Sequence, residues 1–191
     1  TLTGAVAINT TSAGNGGDIT FVSTVDGTQN LTLTAGTAGN VTFTGLVGDT
    51  AALDAVLINS AQNVTVNGLR AASLTQTAGS GTTTLNLGNF TTGTDQAVGT
   101  TGLVAITNGA IVVNDRIDAG TTVTLNADTA GLTIAAAGDI TAGGAVNLTG
   151  ATGISTAGDV TTSSDAVNYN SATTLTGAVA INTTSAGNGG D

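Results

Sequence analysis

The sequence predicts an all-β protein, and more specifically a parallel β-solenoid, in which the chain coils and each turn stacks on the one before. Three observations lead to this fold class. Apolar and polar residues alternate over short segments, similar segments recur about every 20 residues, and no segment has the apolar spacing of an amphipathic helix. We expect about 20–23 residues and three short strands in each turn.

The alternation is clearest in short runs of Val, Leu, Ile and Thr. They are LTLT at 31–34, VTFT at 41–44, VTV at 64–66, VTL at 123–125, LTI at 132–134, VNL at 146–148 and VNY at 167–169. Because side chains alternate along a strand, each run would bury its apolar residues and present Thr or Asn to solvent. Segments rich in glycine, such as AGTAG and GNGG, separate the runs and are typical of turns.

The recurrence is clearest in the second half of the chain. There the apolar positions form three successive sets, which are Ile117, Val123 and Leu132, then Ile140, Val146 and Ile154, then Val160, Val167 and Leu175. The segments AGDITAGG at 137–144 and AGDVTTSS at 157–164 occupy equivalent places in this pattern. Neighbouring strands lie about 4.8 Å apart. Equivalent apolar residues would therefore form columns inside the coil.

The first half is less regular and contains two longer interruptions. We interpret Gly45–Leu53 and Gly88–Gly102 as loops inserted between turns. Such insertions often gather on one side of a solenoid, where binding occurs. The alternative fold is a tandem immunoglobulin-like β-sandwich, which also has short alternating strands. A sandwich usually packs a large aromatic core, and this chain has only three Phe and one Tyr. The recurrence of similar segments about every 20 residues also favours the solenoid.

Composition limits the possible functions. The chain has a net charge of −10, two Arg and no Lys, His, Cys or Glu. An acidic surface repels phosphate backbones and anionic lipids, so we expect no nucleic-acid partner. No apolar run is long enough for a transmembrane helix, so we expect no membrane insertion.

The same composition leaves few residues for catalysis. Lys, His and Cys supply most enzymatic bases and nucleophiles, so we expect that the protein is not an enzyme and has no catalytic residues. The residues considered for a catalytic or inter-turn ion pair are Arg116 with its neighbours Asp115 and Asp118. Carboxylate pairs are conceivable among Asp54, Asp115, Asp118 and Asp128, but no sequence pattern distinguishes these residues from solvated turn residues.

Eighteen residues occur twice in the chain. The segment TLTGAVAINTTSAGNGGD stands at 1–18 and, without a change, at 174–191. We therefore expect residues 1–173 to form one tandem solenoid repeat and residues 174–191 to begin the next identical repeat. The expected partners are further copies of the protein along a fibre axis, joined as a covalent tandem array or as stacked subunits.

The segments NLTLTAGTAGNVTFTG, VTLNADTAGLTIAAAGDITAGGAVNLTG and GDVTTSSDAVNYN resemble the giant, repetitive bacterial surface adhesins of the filamentous-haemagglutinin type. The resemblance is one of composition and period, and it extends over most of the chain. It implies a right-handed parallel β-helix that is exported and forms a fibre or stalk at the cell surface. We expect a secreted structural protein; the alternative is a ligand-binding solenoid module for calcium, a glycan or ice.

The ligand hypotheses rest on few residues. Asp18, Asp139 and Asp159 each follow a glycine and precede a strand, which suggests weak calcium ligands or simple turn residues. We expect no cofactor, with calcium as the one candidate. Phe90 is the only aromatic residue in the predicted loops that could stack on a glycan. A flat, regular array of Thr is typical of ice-binding β-solenoids, but we expect the uneven turn lengths to disrupt its spacing.

Overall fold

A computed structural model describes residues 1–11, 15–185 and 188–189. These residues form a parallel β-solenoid of about eight turns and contain no helix. Strands of successive turns pair in parallel, and the one antiparallel strand pair among them joins Thr184–Ser185 to Asn188–Gly189. The predicted all-β solenoid is confirmed. The alternative β-sandwich is wrong, because its sheets would be antiparallel.

Each turn contributes to three faces. Face 1 contains Val6–Asn9, Leu31–Thr34, Val104–Asn108, Val123–Ala127, Val146–Gly150 and Val167–Tyr169. Face 2 is an eight-stranded sheet of Ile19–Phe21, Val41–Phe43, Val64–Asn67, Thr82–Asn86, Ala110–Val113, Leu132–Ile134, Ile154–Thr156 and Thr173–Leu175. Face 3 contains Val98–Thr100, Ile117–Ala119, Ile140–Ala142, Val160–Thr162 and Ile181–Asn182. Two longer strands, Leu53–Ser60 and Leu69–Gln76, run from face 3 to face 1.

The core consists of the predicted aliphatic columns. On face 1, Val104 pairs with Val123 and Val123 with Val146, and all three side chains are buried. On face 2 the rings of Phe21 and Phe43 stack with their centroids 5.0 Å apart. Because strands of three to five residues alternate inward and outward, most of them bury one to three apolar side chains and leave Thr or Asn on the outer side.

Turn length varies more widely than the predicted 20–23 residues, since Val6 and Leu31 are 25 positions apart and Val56 and Leu74 are 18 apart. On face 3 the paired residues Val98 and Ile117 are 19 positions apart, and Ile117 and Ile140 are 23 apart. Between Leu69 and Val98 the distance grows to 29 positions, because that turn contains the inserted loop. The predicted loop Gly88–Gly102 is too long, since Val98–Thr100 already forms a face-3 strand.

One further detail of the sequence prediction was wrong. Leu175 was aligned with Ile154, whereas the residue that pairs with Ile154 is Thr173. Thr83, in the run TTT, points into the core and is 1% exposed. Its hydroxyl donates to Gln76 Oε1 at 2.6 Å and accepts from Asn108 Nδ2 at 2.8 Å. These bonds satisfy the Thr83 hydroxyl in an apolar interior, whereas the buried Gln76 Nε2 has no hydrogen-bond partner among the described residues.

The two copies of the repeated segment occupy different faces. In the first copy, Val6–Asn9 pairs with Leu31–Thr34 on face 1. In the second copy, Ile181 and Asn182, which correspond to Ile8 and Asn9, pair with Val160 and Thr161 on face 3. The second copy is described only as far as Ser185 and at 188–189. Residues 186–187 and 190–191 of the predicted next repeat lie outside the described residues.

Candidate functional site

The three aspartates considered as calcium ligands each bridge two turns. Asp18 Oδ1 accepts the backbone N–H of Asn40 at 2.8 Å, and Asp139 Oδ1 accepts that of Asp159 at 2.9 Å. Asp159 Oδ1 accepts the backbone N–H of Ala180 at 2.7 Å. Each carboxylate therefore precedes a strand and fixes the strand of the next turn. Asp18 lies beside face 2, at a distance of several turns from the Asp139–Asp159 pair on face 3.

Calcium binding by these residues stays a prediction. Ca²⁺ takes six to eight oxygen ligands. Within the described ranges, the acidic side chains form no group of three or more that could hold a metal ion. The bonds of Asp18, Asp139 and Asp159 fit the role of turn residues, because the same oxygen that would face a metal already accepts a backbone N–H.

Asparagine side chains extend this bridging into ladders along the solenoid. At one edge of face 2, Asn40 Nδ2 donates to Asp18 Oδ1 at 2.8 Å, and Asn63 Nδ2 donates to Asn40 Oδ1 at 2.8 Å. At the opposite edge, Asn86 bonds Asn67 at 2.9 Å and Asn114 bonds Asn86 at 2.8 Å. Stacked amides in equivalent positions satisfy one another, so both ladders hold successive strands in register.

The two predicted loops contact each other through Arg70. Its Nε donates to the carbonyl of Gly48 at 3.0 Å, one terminal nitrogen donates to the carbonyl of Thr92 at 2.6 Å, and the other donates to the carbonyl of Asp49. The guanidinium also lies over the ring of Phe90, 4.3 Å from its centroid. Arg70 therefore lies between two neighbouring turns and ties Gly48 and Asp49 of the preceding turn to the inserted loop 88–97 of the following one.

Asp49 forms the second half of this connection. Its carboxylate, which is 6% exposed, accepts the backbone N–H of Thr91 at 2.7 Å and the Thr91 hydroxyl at 3.0 Å. Phe90 is 8% exposed and lies beneath the Arg70 guanidinium. Its ring is therefore not presented to solvent for stacking on a glycan, and the expectation for Phe90 was wrong. Sequence reasoning missed the contact between Arg70 and Asp49, because 21 residues separate them.

A groove runs along the edge of face 2 near the inserted loop. It has a volume of about 460 Å³ and is lined by residues of the first four turns, including Val22, Ser23, Thr44, Asn67 and Leu87. Val22 is 78% exposed and Leu87 is 43% exposed. The groove contains no titratable side chain, so its chemistry is that of hydroxyl, amide and aliphatic contacts.

The pair formed by Arg116 differs from the expected inter-turn pair. Its guanidinium lies 3.6 Å from Asp118 Oδ2 in the same turn, and it donates to Gln96 Oε1 of the preceding turn at 3.1 Å. The side chains of Arg116 and Asp118 are 33% and 47% exposed. A pair so open to solvent contributes at most about 1 kcal/mol to stability.

Both ends of the solenoid carry apolar side chains that are not fully buried. At the amino-terminal end, Val6, Ile8 and Phe21 are only partly buried, since the strands that carry them each have one neighbour among the described residues. At the carboxyl-terminal end, Leu175 is 62% exposed and Ile181 is 53% exposed. Unpaired strand edges with exposed apolar side chains are sites where further strands add.

Comparison with protein-family models, curated proteins and solved structures finds no match to the chain. Within the described ranges there is also no helix of the length and apolar character needed to cross a membrane.

Proposed function

We propose that the protein is a structural rod, one repeat of an extracellular filament or stalk of a giant bacterial cell-surface adhesin, and that copies of it stack end to end. The observation that supports this proposal is that the strand columns of faces 1 and 2 end at both ends of the solenoid in apolar side chains that are not fully buried. No enzymatic step is part of the proposed function, and secretion to the cell surface belongs to the proposal.

The proposed contact continues the register that joins the turns within one chain. On face 1, Val167 and Tyr169 of one copy would meet Val6 and Ile8 of the next. On face 2, Leu175 continues the inward column that begins at Phe21. Stacking covers these apolar side chains and pairs the free backbone groups of both ends.

Face 3 supplies the third part of the contact. Ile181 pairs with Val160 within the chain, and its other side is free. At the amino-terminal end Val25 is already buried, and the Leu2 N–H donates to the Asp26 carbonyl at 2.6 Å, so Ile181 would meet Leu2 of the next copy. Eight turns at about 4.8 Å add roughly 38 Å of rod for each copy. The net charge of −10 would keep neighbouring rods apart, most strongly at low salt.

Electron microscopy combined with sedimentation velocity tests the proposal. We expect thin rods that lengthen with protein concentration, and an axial reflection near 4.8 Å from aligned material. Leu175→Asp puts a charge into the carboxyl-terminal contact and is expected to leave single particles. The matched control is Leu87→Asp, an exposed leucine on the side of the rod, which is expected to leave stacking intact.

Two results would contradict end-to-end stacking. One is a population of single short particles at every concentration tested. The other is equal loss of rods in both leucine variants, because association would then depend on the sides of the solenoid. Of the alternative ligand-binding functions, ice binding has specific support from the outer side of face 2.

A further inference from the structure

Face 2 carries an outward column of hydroxyl side chains along the whole solenoid. Its members, in the order of the turns, are Thr20, Thr42, Thr65, Thr84, Val112, Thr133, Ser155 and Thr174. Each pairs directly with the next, and no register shift interrupts the face. The single Val keeps the branched shape of Thr. The column contains eight positions spaced about 4.8 Å apart, so it is roughly 34 Å long.

The uneven turn lengths do not disturb this column. The extra residues of the long turn lie in the loop 88–97, between faces 2 and 3. On face 1, in contrast, the register shifts between Leu33 and Thr34. The expectation that variable turns disrupt a regular Thr array is therefore wrong for face 2.

The hydroxyls of this column are free to bond other molecules. Within the part of the chain that the structure describes, none of these Thr or Ser side chains bonds another protein group. The asparagine ladders on both sides are bonded internally, as described for Asn40–Asn63 and Asn67–Asn86. The ladders hold the strands of the first five turns in place, so the free hydroxyls there are arranged before any ligand arrives.

Face 2 also lacks charge. None of its eight strands contains a charged residue, whereas faces 1 and 3 carry Asp54, Arg70 and Asp118 in their strands. A chain with a net charge of −10 therefore has one side whose strands are neutral. A neutral, periodic surface of hydroxyl and methyl groups suits a neutral, periodic ligand.

From this geometry we propose that face 2 binds ice. Water molecules in a crystal donate and accept hydrogen bonds at regular intervals, so they can satisfy each free hydroxyl while the Thr methyl groups pack between them. Against a second protein copy, the same hydroxyls would be buried without matched partners, which is unfavourable. A glycan is disfavoured because face 2 presents no aromatic ring outward: Phe21 and Phe43 stack on its inner side.

Ice-plane affinity and crystal shaping test this proposal directly. A single ice crystal grown in the fluorescently labelled full chain is expected to take up label on defined planes, and small crystals are expected to become faceted. Thr65→Lys and Thr84→Lys place a long cation in the middle of the column, and both labelling and faceting should be lost. The matched control is Thr124→Lys, which changes an exposed Thr in a strand of face 1.

The outcomes separate ice binding from the other uses of the surface. Absence of labelling with the folded parent chain, or equal loss in Thr124→Lys, would overturn the proposal. If the chain instead forms side-by-side dimers that Thr65→Lys dissociates, face 2 binds a second copy and not ice. The Leu175→Asp variant should still shape ice, so failure of end-to-end stacking and failure of ice binding are distinguishable.

Discussion

Replacing Arg70 by Ala should release the inserted loop 88–97 while leaving the solenoid folded. Arg70 makes three hydrogen bonds to backbone carbonyls of the two loops and covers the ring of Phe90. Each net hydrogen bond contributes about 1 kcal/mol, and the cation–π contact adds about 0.5–1 kcal/mol. Allowing for water that replaces part of these contacts, we expect the loop to lose roughly 2–3 kcal/mol of local stability.

Hydrogen exchange measures this loss residue by residue. The backbone N–H of Phe90 bonds Asp95 Oδ1, and that of Thr91 bonds Asp49 Oδ1, so both report opening of the loop. A loss of 2–3 kcal/mol corresponds to exchange about 30- to 150-fold faster at these two amides, since 1.4 kcal/mol is a factor of ten. Amides of the solenoid strands should be unchanged.

Arg116→Ala is the matched control, because Arg116 is the chain's other cation and makes a single side-chain hydrogen bond to the same loop, at Gln96, with no contact to Phe90 or Thr91. It should alter exchange at Phe90 and Thr91 by less than about fivefold. If Arg70→Ala leaves these amides as protected as in the parent chain, the loop is held by Asp49 alone and the reasoning fails.

Three further predictions concern the packing of the core and the stability of the fold in acid and in alkali. Leu125 is fully buried between turns, so Leu125→Ala should lower the free energy of unfolding, measured by urea denaturation, by about 3 kcal/mol. A loss below about 1 kcal/mol would contradict the close packing of the columns. Partial burial tends to raise the pKa of Asp26, but hydrogen bonds from the backbone N–H groups of Thr50 and Ala51 outweigh it and lower that pKa. The ionised carboxylate of Asp26 therefore stabilises the fold at neutral pH, and this contribution is lost as the pH falls below about 4. Asp26→Asn should lower the free energy of unfolding at pH 6 but leave it unchanged in acid. Burial raises the pKa of Tyr169, so stability should fall above about pH 10, and Tyr169→Phe should remove that part of the decline in alkaline denaturation curves.

Local sequence pattern was sufficient to predict the strands and their stacking. Val123, Val146 and Val167 were aligned from their spacing, and the structure pairs them in that order. The pattern succeeds because a short strand must bury alternate residues, and in a solenoid every turn presents the same requirement.

The pattern fails where a neighbouring turn, and not the residue itself, decides the position. Leu175 is apolar and was aligned with Ile154, yet the register set by the preceding turn places Thr173 there. Thr83 is polar, but its partners Gln76 and Asn108 allow it to lie inside.

The repeated segment shows the same dependence most clearly. Ile8 and Ile181 stand in identical sequences, but the first lies on face 1 and the second on face 3. Since the letters are the same, only the turn against which each copy pairs can select the face. Identity of sequence along this chain does not imply identity of position.

The contacts of the candidate surfaces were mostly beyond sequence reasoning. Arg70 and Asp49 are far apart along the chain, as are Asp49 and Thr91, and no local motif marks either contact. The free hydroxyls of face 2 could be suspected from the runs of Thr. Their continuity depends on where the loops leave the coil, which the structure alone reveals.

The stacking of turns also determines how the molecule would respond to tension. Each turn occupies about 4.8 Å of the axis but contains roughly 20 residues, which extend to about 70 Å when peeled away. A rod pulled by its two chain ends would therefore unravel in steps, one turn at a time, and absorb work at each step. The 29 residues between Leu69 and Val98 would produce one step of about 100 Å, longer than the others, by which a single molecule could be recognised in a force trace.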